Sequence, residues 1–395
     1  MRSEMSFFAV YAKNLLRCTL FVSLLVLGAC QQQDVSSEAS IARATELTLT
    51  EVFRIGDETT GDTVLFGGGL EVAVNSQGQL FVTDRGIRGI RVFSNTGALM
   101  QRIGRAGDGP GEFQSTPLVH VGPRDTIYAL DTRAKQLTVF APNNHTPMET
   151  INISGTEAFD AEFQTIQVVR YLIGVVEDGF LVQYRDAKIP LMSDMDAPEH
   201  TVLKLLNWNG EVSADTLVKM PNRDMVYAQA RGQRSMMAKI PFGRDAFMAL
   251  SPDNLLYYGR NDAIEIRIHS IDGTTRRSVR VPHDPVPVTD DERYNWVSAY
   301  PDGTQDEMRS VLPKTRPAYE ALVLDDSGRI WLRLSAPKGA LEARWIVVNL
   351  EGKIEATTKL PSIIWLKVVA GDRAIGTSSD EEQGAPLVVA YEITE

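Results

Sequence analysis

Arginine side chains recur at one position of a repeated pattern, directly after a short apolar strand. They are Arg85, Arg133, Arg185 and Arg260, with Arg333 just before the end of a further strand of the same kind. A guanidinium group grips carboxylate and phosphate through paired hydrogen bonds, so a ring of arginines would suit an anionic ligand. We favour the alternative that each arginine stabilises its repeat by pairing with the neighbouring aspartate, because the pattern recurs from unit to unit. Those aspartates are Asp84, Asp131, Asp186 and Asp262.

A second group of candidate binding residues is aromatic. Tyr294, Trp296 and Tyr300 follow Thr289-Asp-Asp-Glu292, a capping-box pattern that predicts a short helix through Tyr300. On such a helix the three rings would form the aromatic wall of a ligand groove. The interpretation we favour is that the helix packs on the rim of the fold, because apolar residues of a helix are usually buried.

Residues for catalysis or metal binding are sparse. The glycine-rich run 104–111 lacks the Gly-Lys-Ser/Thr ending of a phosphate loop, and the sequence contains no Cys-x-x-Cys, His-Glu-x-x-His or Gly-x-Ser-x-Gly motif. The five histidines are scattered along the chain. Glu71 and His120 are weak candidate metal ligands, because they are the polar groups that the apolar inner strands offer. We therefore predict no cofactor and assign no catalytic residue.

The elements that position these residues come from an internal repeat. Each unit has an apolar strand, a tight polar turn, a second strand that usually ends in Asp, and two more strands around another tight turn. The turn and second strand recur at 75–84, 122–131, 177–186, 251–262, 325–335 and 370–380. Short alternating strands bounded by Gly, Asn and Asp turns are typical of four-stranded antiparallel blades. Six copies predict an all-β fold, a six-bladed β-propeller with a short helical insert between blades 4 and 5.

The two ends of the propeller sequence predict how the ring closes. The sixth copy, 366–393, has room for three strands, and a spare strand lies at 47–55. Pairing the spare strand as the outer strand of the last blade would close the ring and cover an open sheet edge. We therefore assign residues 45–395 to the propeller.

The connections predict which face of the propeller binds. In each blade, the first-to-second and third-to-fourth turns share one face and are short in this sequence. The second-to-third loops and the links between blades share the other, which we call the loop-rich face. It receives every long insertion: 187–200, 222–245, 283–319, 335–343 and 378–386. Loops on a rigid scaffold commonly build binding surfaces. The insertion 222–245 is locally basic and either binds an anion or, as we favour, pairs with the acidic helical insertion.

The first thirty residues have the pattern of an export signal. Arg2, Lys13 and Arg17 precede an apolar run at 18–29 that is too short to span a bilayer as a helix. The run ends Leu27-Gly28-Ala29-Cys30 and resembles the lipobox of bacterial lipoproteins. An ordinary signal peptide or an uncleaved anchor is the less favoured alternative.

The lipobox resemblance implies a maturation pathway and a location. Residues 1–29 would be removed as a signal peptide, Cys30 would carry the lipid, and 30–44 would form a flexible tether. Several acyl chains give stable membrane anchoring. Gln31, in place of aspartate after the lipidated cysteine, favours the outer membrane, with the protein facing the periplasm.

The composition limits the partners and the forces that hold the fold together. The formal net charge is -11, with 51 acidic against 40 basic residues, which argues against nucleic acid as a partner. The two cysteines, Cys18 and Cys30, both lie in the export and anchor segment. The propeller therefore has no disulfide and depends on its hydrophobic core.

The stretch 82–113 carries a specific resemblance. Asp84, Ile90-Arg-Val-Phe93, Gly97 and a glycine-rich link that ends at Phe113 resemble the NHL-repeat family of six-bladed propellers. As a whole the chain resembles lipid-anchored propellers of bacterial envelopes, within the TolB-like propeller superfamily. This resemblance implies a fold and a compartment.

Two classes of function follow from these patterns. The first, which we favour, is an envelope binding or scaffold module that recognises a protein, peptide or glycan through the loop-rich face. The second is a metal-dependent propeller hydrolase or lyase, similar to a lactonase, with the metal in the central channel. Fold alone does not decide between them, but the second needs inward carboxylates, Asn or His on several blades, and the inner strands offer few.

Overall fold

Strands with alternating apolar residues, separated by tight turns, pair with their sequence neighbours and form antiparallel blades. The computed structural model describes residues 37–56, 64–155, 159–160, 165–188, 199–228, 236–274, 276–298, 300, 304–337, 339–378 and 385–395. The sheets of these residues form six blades. The prediction of an all-β six-bladed propeller is therefore confirmed.

The first elements precede blade 1 and are helix α1 (Ser37–Ile41) and strands β1 (Thr45–Glu46) and β2 (Thr48–Ile55). Blade 1 contains β3 (Glu71–Val74), β4 (Leu80–Thr83), β5 (Ile90–Phe93) and β6 (Leu99–Ile103). Its link to blade 2 holds the short pair β7 (Arg105–Ala106) and β8 (Glu112–Phe113). Blade 2 contains β9 (Leu118–Val121), the 3-10 turn η1 (Pro123–Asp125), β10 (Ile127–Asp131), β11 (Gln136–Phe140) and β12 (Pro147–Asn152).

Blade 3 has the longest strands and is followed by a hairpin. It contains β13 (Phe159–Asp160), β14 (Thr165–Val176), β15 (Gly179–Lys188), β16 (His200–Leu206) and β17 (Val212–Pro221). The hairpin is formed by β18 (Met225–Ala228) and β19 (Met236–Lys239). Blade 4 contains β20 (Ala246–Leu250), β21 (Leu255–Arg260), β22 (Ile264–Ser270) and β23 (Arg276–Val281).

Two helices and the last two blades complete the chain. The helices are α2 (Asp290–Val297) and α3 (Gln305–Val311). Blade 5 contains β24 (Tyr319–Leu324), β25 (Ile330–Leu334), β26 (Glu342–Val348) and β27 (Ile354–Pro361). Blade 6 contains β28 (Trp365–Ala370), β29 (Arg373–Ser378) and β30 (Leu387–Thr394).

The ring closes through the spare strand, as the sequence predicts. β2 pairs antiparallel with β30 and becomes the outer strand of blade 6. The six inner strands, β3, β9, β14, β20, β24 and β28, contact one another in a closed circle. β1 adds a feature that the sequence did not predict, because it pairs in parallel with β27 of blade 5. The segment before β2 therefore joins the outer edges of two blades.

The hydrophobic core lies between the blades rather than within them. Side chains of a strand alternate between its two faces, so each middle strand contributes to two interfaces. In β4, Leu80 and Val82 pack against blade 6, whereas Phe81 packs against blade 2. The other interfaces have equivalent clusters, and together they form six cores around the ring. Without a disulfide in this region, these contacts hold adjacent blades together.

The chain segment before β1 is in contact with the propeller. Residues 37–44 belong to the part that the sequence assigns to the tether, yet they include α1, whose Ile41 is 8% exposed. Ile41 packs into the core between blades 4 and 5. The contacts of the propeller therefore begin before residue 45.

Candidate functional site

The capping box at the start of α2 is present as predicted. The Thr289 side chain accepts a hydrogen bond from the Glu292 backbone N–H, and the Glu292 carboxylate accepts one from Thr289 N–H at 3.0 Å. α2 ends at Val297, three residues before the predicted end, and α3 follows it as a second helix that the sequence analysis missed. Both helices contact a small core made with the β18–β19 hairpin.

The three aromatic residues of this insertion do not form one wall. Trp296 and Tyr300 pack against the small core, and their ring centroids lie 4.8 Å apart. Tyr294 points away from it and is 71% exposed. Trp296 and Tyr300 thus hold the insertion together, and Tyr294 alone of the three remains open to a partner.

The repeat arginines are distributed over different environments. Arg260 bonds to Asp224 at 2.6 Å and to Asp262 at 3.0 Å. Arg185 lies 3.8 Å from Glu199 and lines a cavity at the centre of the ring. Arg133 lines a separate cavity of about 250 Å³ in the link between blades 1 and 2. Arg85 lies against Gly69 beside blade 1. The described residues therefore do not bring these arginines into one ring.

The repeat aspartates bind partners other than the neighbouring arginines in most blades. Asp84 forms an ion pair with Arg91 at 3.1 Å, and its carboxylate accepts hydrogen bonds from Gly67 and Gly86 N–H groups. Asp186 lies 3.8 Å from Lys219 and 3.9 Å from His200. Among the ion pairs of the described residues, Arg260 and Asp262 form the predicted contact between a repeat arginine and its neighbouring aspartate.

Asp131 shows what the repeated carboxylate does. Its oxygens accept hydrogen bonds from Gln114 N–H, Ser115 N–H and Ser115 Oγ on the preceding link, and from Arg133 and Ala134 N–H after the strand. Burial would raise the pKa of Asp131, but hydrogen bonds from Ser115, Ala134 and Gln114 outweigh it and lower the pKa. The Asp131 carboxylate therefore joins the preceding link to blade 2 through hydrogen bonds.

The central cavity has a volume of about 700 Å³ and opens among blades 3, 4 and 5. Its walls are inner-strand residues, including Leu172, Phe247 and Leu322. The link after blade 3 adds Arg223, Met225 and Lys239. The complete charged lining consists of Glu71, Arg170, Arg185, Glu199, Arg223, Lys239, Asp245 and Lys367. The cavity therefore combines apolar walls with charged groups at fixed positions, as ligand sites do.

Most charges of the cavity are paired. Arg223 binds Asp245 at 2.5 Å, Lys367 lies 3.5 Å from Glu71, and Arg185 approaches Glu199. Desolvation lowers the pKa of Lys239, and the neighbouring Arg223 charge lowers it further, against the attraction of Asp245 and Glu320. The cavity lining contains more basic than acidic side chains, although the chain as a whole is acidic.

Ion pairs of the basic insertion 222–245 are formed within the link and with blade 4. Arg223 binds Asp245, and Arg244 donates to the Thr315 carbonyl and lies 3.7 Å from Asp262. Arg316, which lies outside this insertion, forms the ion pair with Glu292 of α2. The sequence favours pairing of the basic insertion with the acidic helix. These ion pairs of the described residues do not include such a contact. Arg231 and Arg234 lie outside the described residues.

Glu71 and His120 do not combine into a metal site. The Glu71 carboxylate already contacts Lys367, a cation that competes with a metal ion for it. His120 lies on β9 opposite Tyr128, and burial lowers its pKa to about 4. In the part of the chain that the structure describes, no three His, Cys, Asp or Glu side chains lie together in a metal-binding group. The described donor set does not fit the metal that the hydrolase alternative needs.

Sequence reasoning missed Arg170, Lys239 and Lys367 as cavity residues. Two of them carried a local signal: Arg170 interrupts Val168-Val-Arg-Tyr-Leu172, and Lys367 interrupts Trp365-Leu-Lys-Val-Val369, both in inner strands that are otherwise largely apolar. A charge in such a strand must face either the channel or water. For Lys239 the signal was the basic composition of the insertion 222–245, but its place in the cavity depends on the fold of the hairpin.

The remaining sequence-based assignments concern the N-terminal segment. Cys30 and residues 1–36 lie outside the described residues, so lipidation at Cys30 stays a prediction. Among the residues that are described, no helix has the length and apolar character needed to cross a bilayer.

Comparisons with known proteins support the fold. A family model described as "6-bladed beta-propeller" (DUF5128) matches residues 43–165. The match covers blades 1 and 2 and reaches the first residue of β14. The sequence matches no protein of curated function.

Solved structures similar to this chain have low sequence identity to it. A member of the DUF4221 family from Bacteroides vulgatus has a TM-score of 0.47 and 12% identity, over 89% of this chain and 100% of that one. Virginiamycin B lyase from Staphylococcus aureus gives 0.44 and 9%, over 89% and 100%. A gluconolactonase from Xanthomonas campestris gives 0.40 and 11%, over 87% and 97%. At this level of similarity their activities carry no argument for this chain.

Proposed function

We propose that this protein is a lipid-anchored binding module of the cell envelope that recognises a protein, peptide or glycan through its loop-rich face. Lipid on Cys30 would hold it at the outer membrane, with the propeller in the periplasm. The sequence patterns of residues 1–44 support the anchor, and the geometry of the propeller supports the binding face.

One observation carries the proposal: the long connections and the central cavity meet on the same side of the ring. The longest turn of the opposite face, 141–146, has six residues, whereas the connection 282–318 alone holds two helices. The link between β17 and β20 contributes Arg223, Lys239 and Asp245 directly to the cavity. A partner that reaches the cavity from this side must therefore contact the loop-rich face.

The described residues of two insertions, 222–245 and 283–319, share a buried core beside that opening. Val226 and Ile240 of the hairpin region and Val297, Met308 and Leu312 of the helical insertion share a buried cluster. Arg316 adds a contact between the two insertions, because it forms an ion pair with Glu292 of α2 while its guanidinium lies 4.7 Å from the Phe242 ring centroid. A preordered surface loses less entropy on binding than mobile loops do.

Photocrosslinking in the envelope tests the binding face. A benzophenone amino acid replaces Tyr294, which is exposed on α2, or Trp208, which is 48% exposed in the 207–211 turn of the opposite face. Both positions hold an aromatic residue that is exposed to solvent, although Tyr294 is the more exposed of the two. We expect a discrete adduct of protein, peptide or glycan from the Tyr294 position and none from the Trp208 position. Adducts from Trp208 alone, or none from either position, would overturn the assignment of the face.

A further inference from the structure

We propose that the central cavity binds a small amphiphilic anion whose carboxylate or phosphate group lies between Arg170 and Lys239. The inference rests on the proposed function in that it places this ligand group in the cavity beneath the loop-rich face. It adds the chemical class that the cavity selects.

Basic side chains outnumber acidic ones in the cavity. Five basic side chains and three acidic ones line it, although the chain as a whole carries a formal net charge of -11. The three acids are matched by Arg223, Lys367 and Arg185. Arg170 and Lys239 remain, and within the described residues neither makes an ion pair with a carboxylate.

Arg170 lies at a β-bulge in the strand that forms one wall of the cavity. β14 pairs with β15 through Val169–Tyr184 and Tyr171–Gln183, so Arg170 forms a β-bulge with no partner on β15. A bulge redirects a side chain and is common beside functional sites. Arg170 is exposed on the wall of the cavity, with its guanidinium 5.8 Å from the centroid of the Tyr171 ring. The strand therefore presents a cation to the cavity, and no carboxylate of the described residues forms an ion pair with it.

Lys239, at the cavity mouth, is a cation whose charge the protein balances only in part. Asp245 and Glu320 are the acids whose charge attracts Lys239, but each already binds another cation. Asp245 binds Arg223, and Glu320 binds Arg333 at 2.8 Å. Desolvation and the Arg223 charge both disfavour its protonated form. An anion between Lys239 and Arg170 would restore the favourable charge interaction that the protein itself leaves incomplete.

The remaining lining defines the rest of the ligand. Leu172, Ile173, Phe247, Met248 and Leu322 give the cavity apolar walls, and its volume of about 700 Å³ suits a small molecule or an inserted chain. A bare inorganic ion would leave this apolar surface in contact with water. The cavity therefore favours an anion that carries an apolar body.

Binding of matched probes to the purified full-length protein tests the inference. Octanoate, octanol and inorganic phosphate are titrated by calorimetry, because octanol keeps the apolar chain of octanoate and lacks its charge. We expect octanoate to bind at least tenfold more tightly than octanol. Tighter binding of inorganic phosphate than of octanoate would contradict the amphiphilic ligand, because phosphate carries no apolar body. Equal binding of octanoate and octanol, or no binding of octanoate or phosphate, would overturn the inference.

Variants locate the site. Arg170→Gln and Lys239→Gln should each weaken binding of octanoate about tenfold, and the double variant should weaken it further. Arg280→Gln is the control, because Arg280 is 73% exposed, pairs with Glu265 on blade 4 and lies outside the cavity lining. Wild-type affinity in the double variant, with an unchanged melting temperature, would contradict the site. Envelope crosslinking can succeed while anion binding fails, or the reverse, so the two proposals are tested separately.

Discussion

The carboxylate of Asp131 accepts a hydrogen bond at 2.6 Å from the backbone N–H of Gln114, which lies 17 residues earlier on the preceding link. Asp84 and Gly67 have the same relationship across the same separation, at 3.0 Å. In blade 4, Asn261 Oδ1 accepts from Asp245 N–H at 2.7 Å. The repeated polar residue therefore fastens each of these links to its blade, and its recurrence reflects folding rather than ligand binding.

Removing one of these carboxylates that join a link to its blade should destabilise the propeller. Asp131→Ala leaves several partly buried N–H groups without this acceptor, so we expect the free energy of unfolding to fall by about 3 kcal/mol. Urea denaturation followed by tryptophan fluorescence measures it. Asp272→Ala is the control, because the Asp272 carboxylate accepts its hydrogen bonds within an exposed turn, so its loss should destabilise the protein much less. Equal effects of the two substitutions would contradict the structural role of Asp131.

Arg333 should be irreplaceable by lysine. Its guanidinium binds Glu320 at 2.8 Å and the Ser362 carbonyl at 2.6 Å, and it lies 3.7 Å from the centroid of the Trp365 ring in blade 6. A lysine ammonium cannot make these contacts together, so Arg333→Lys should lower the melting temperature and cost about 2 kcal/mol. Arg280→Lys, at an exposed pair, should be nearly neutral. An unchanged melting temperature for Arg333→Lys would refute the prediction.

Closure through β2 can be tested at two neighbouring positions. Ile55 is 1% exposed and packs between blades 6 and 1, so Ile55→Ala should lower the free energy of unfolding by about 3 kcal/mol. Val52 occupies a bulge in the same strand and is 46% exposed, so Val52→Ala should change it by less than about 0.5 kcal/mol. Chemical denaturation distinguishes the two. A small effect at Ile55 would mean that β2 contributes little to the ring.

His120 should make stability depend on pH. Burial lowers its pKa from 6.5 to about 4 in the folded protein. As the pH falls below 6.5, His120 binds a proton in the unfolded chain but not in the folded protein. The free energy of unfolding therefore decreases from pH 6.5 towards pH 4. Between pH 7.5 and 5 this loss is about 2 kcal/mol.

His120→Gln supplies the comparison, since it keeps a polar side chain that does not titrate. The free energy of unfolding of the wild type should fall more steeply than that of the variant over this range. Parallel profiles for the two proteins would show that His120 does not titrate as expected.

Cys30→Ser should release the protein from the membrane. Without the thiol no lipid can be attached, so the protein should move from the detergent phase to the aqueous phase of a detergent partition. Cys18→Ser lies in the predicted signal and should leave partitioning unchanged. Retention of the Cys30→Ser protein in the detergent phase would argue for an uncleaved anchor.

The sequence by itself determined the architecture, because the responsible physics is local. Alternation of apolar residues defines strands, and tight turns such as Asn75–Gly78 reverse the chain. There the Asn75 side chain accepts from Gln77 and Gln79 N–H groups, and Gly78 adopts a φ of 75°. The capping box at Thr289 follows from a spacing of three residues, and the closing strand follows from counting six repeats. Each of these needs a few neighbouring residues and no knowledge of distant contacts.

The tertiary structure alone decided which side chains meet. The pairing of Asp84 with Arg91 instead of Arg85 depends on how the second and third strands of a blade pass each other. Arg170 and Lys239 are 69 residues apart in the chain, yet they line one cavity, because a bulge redirects one strand and a hairpin folds back over the channel. Such distances are set by packing among blades that are remote in sequence, and a residue pattern contains no measure of them.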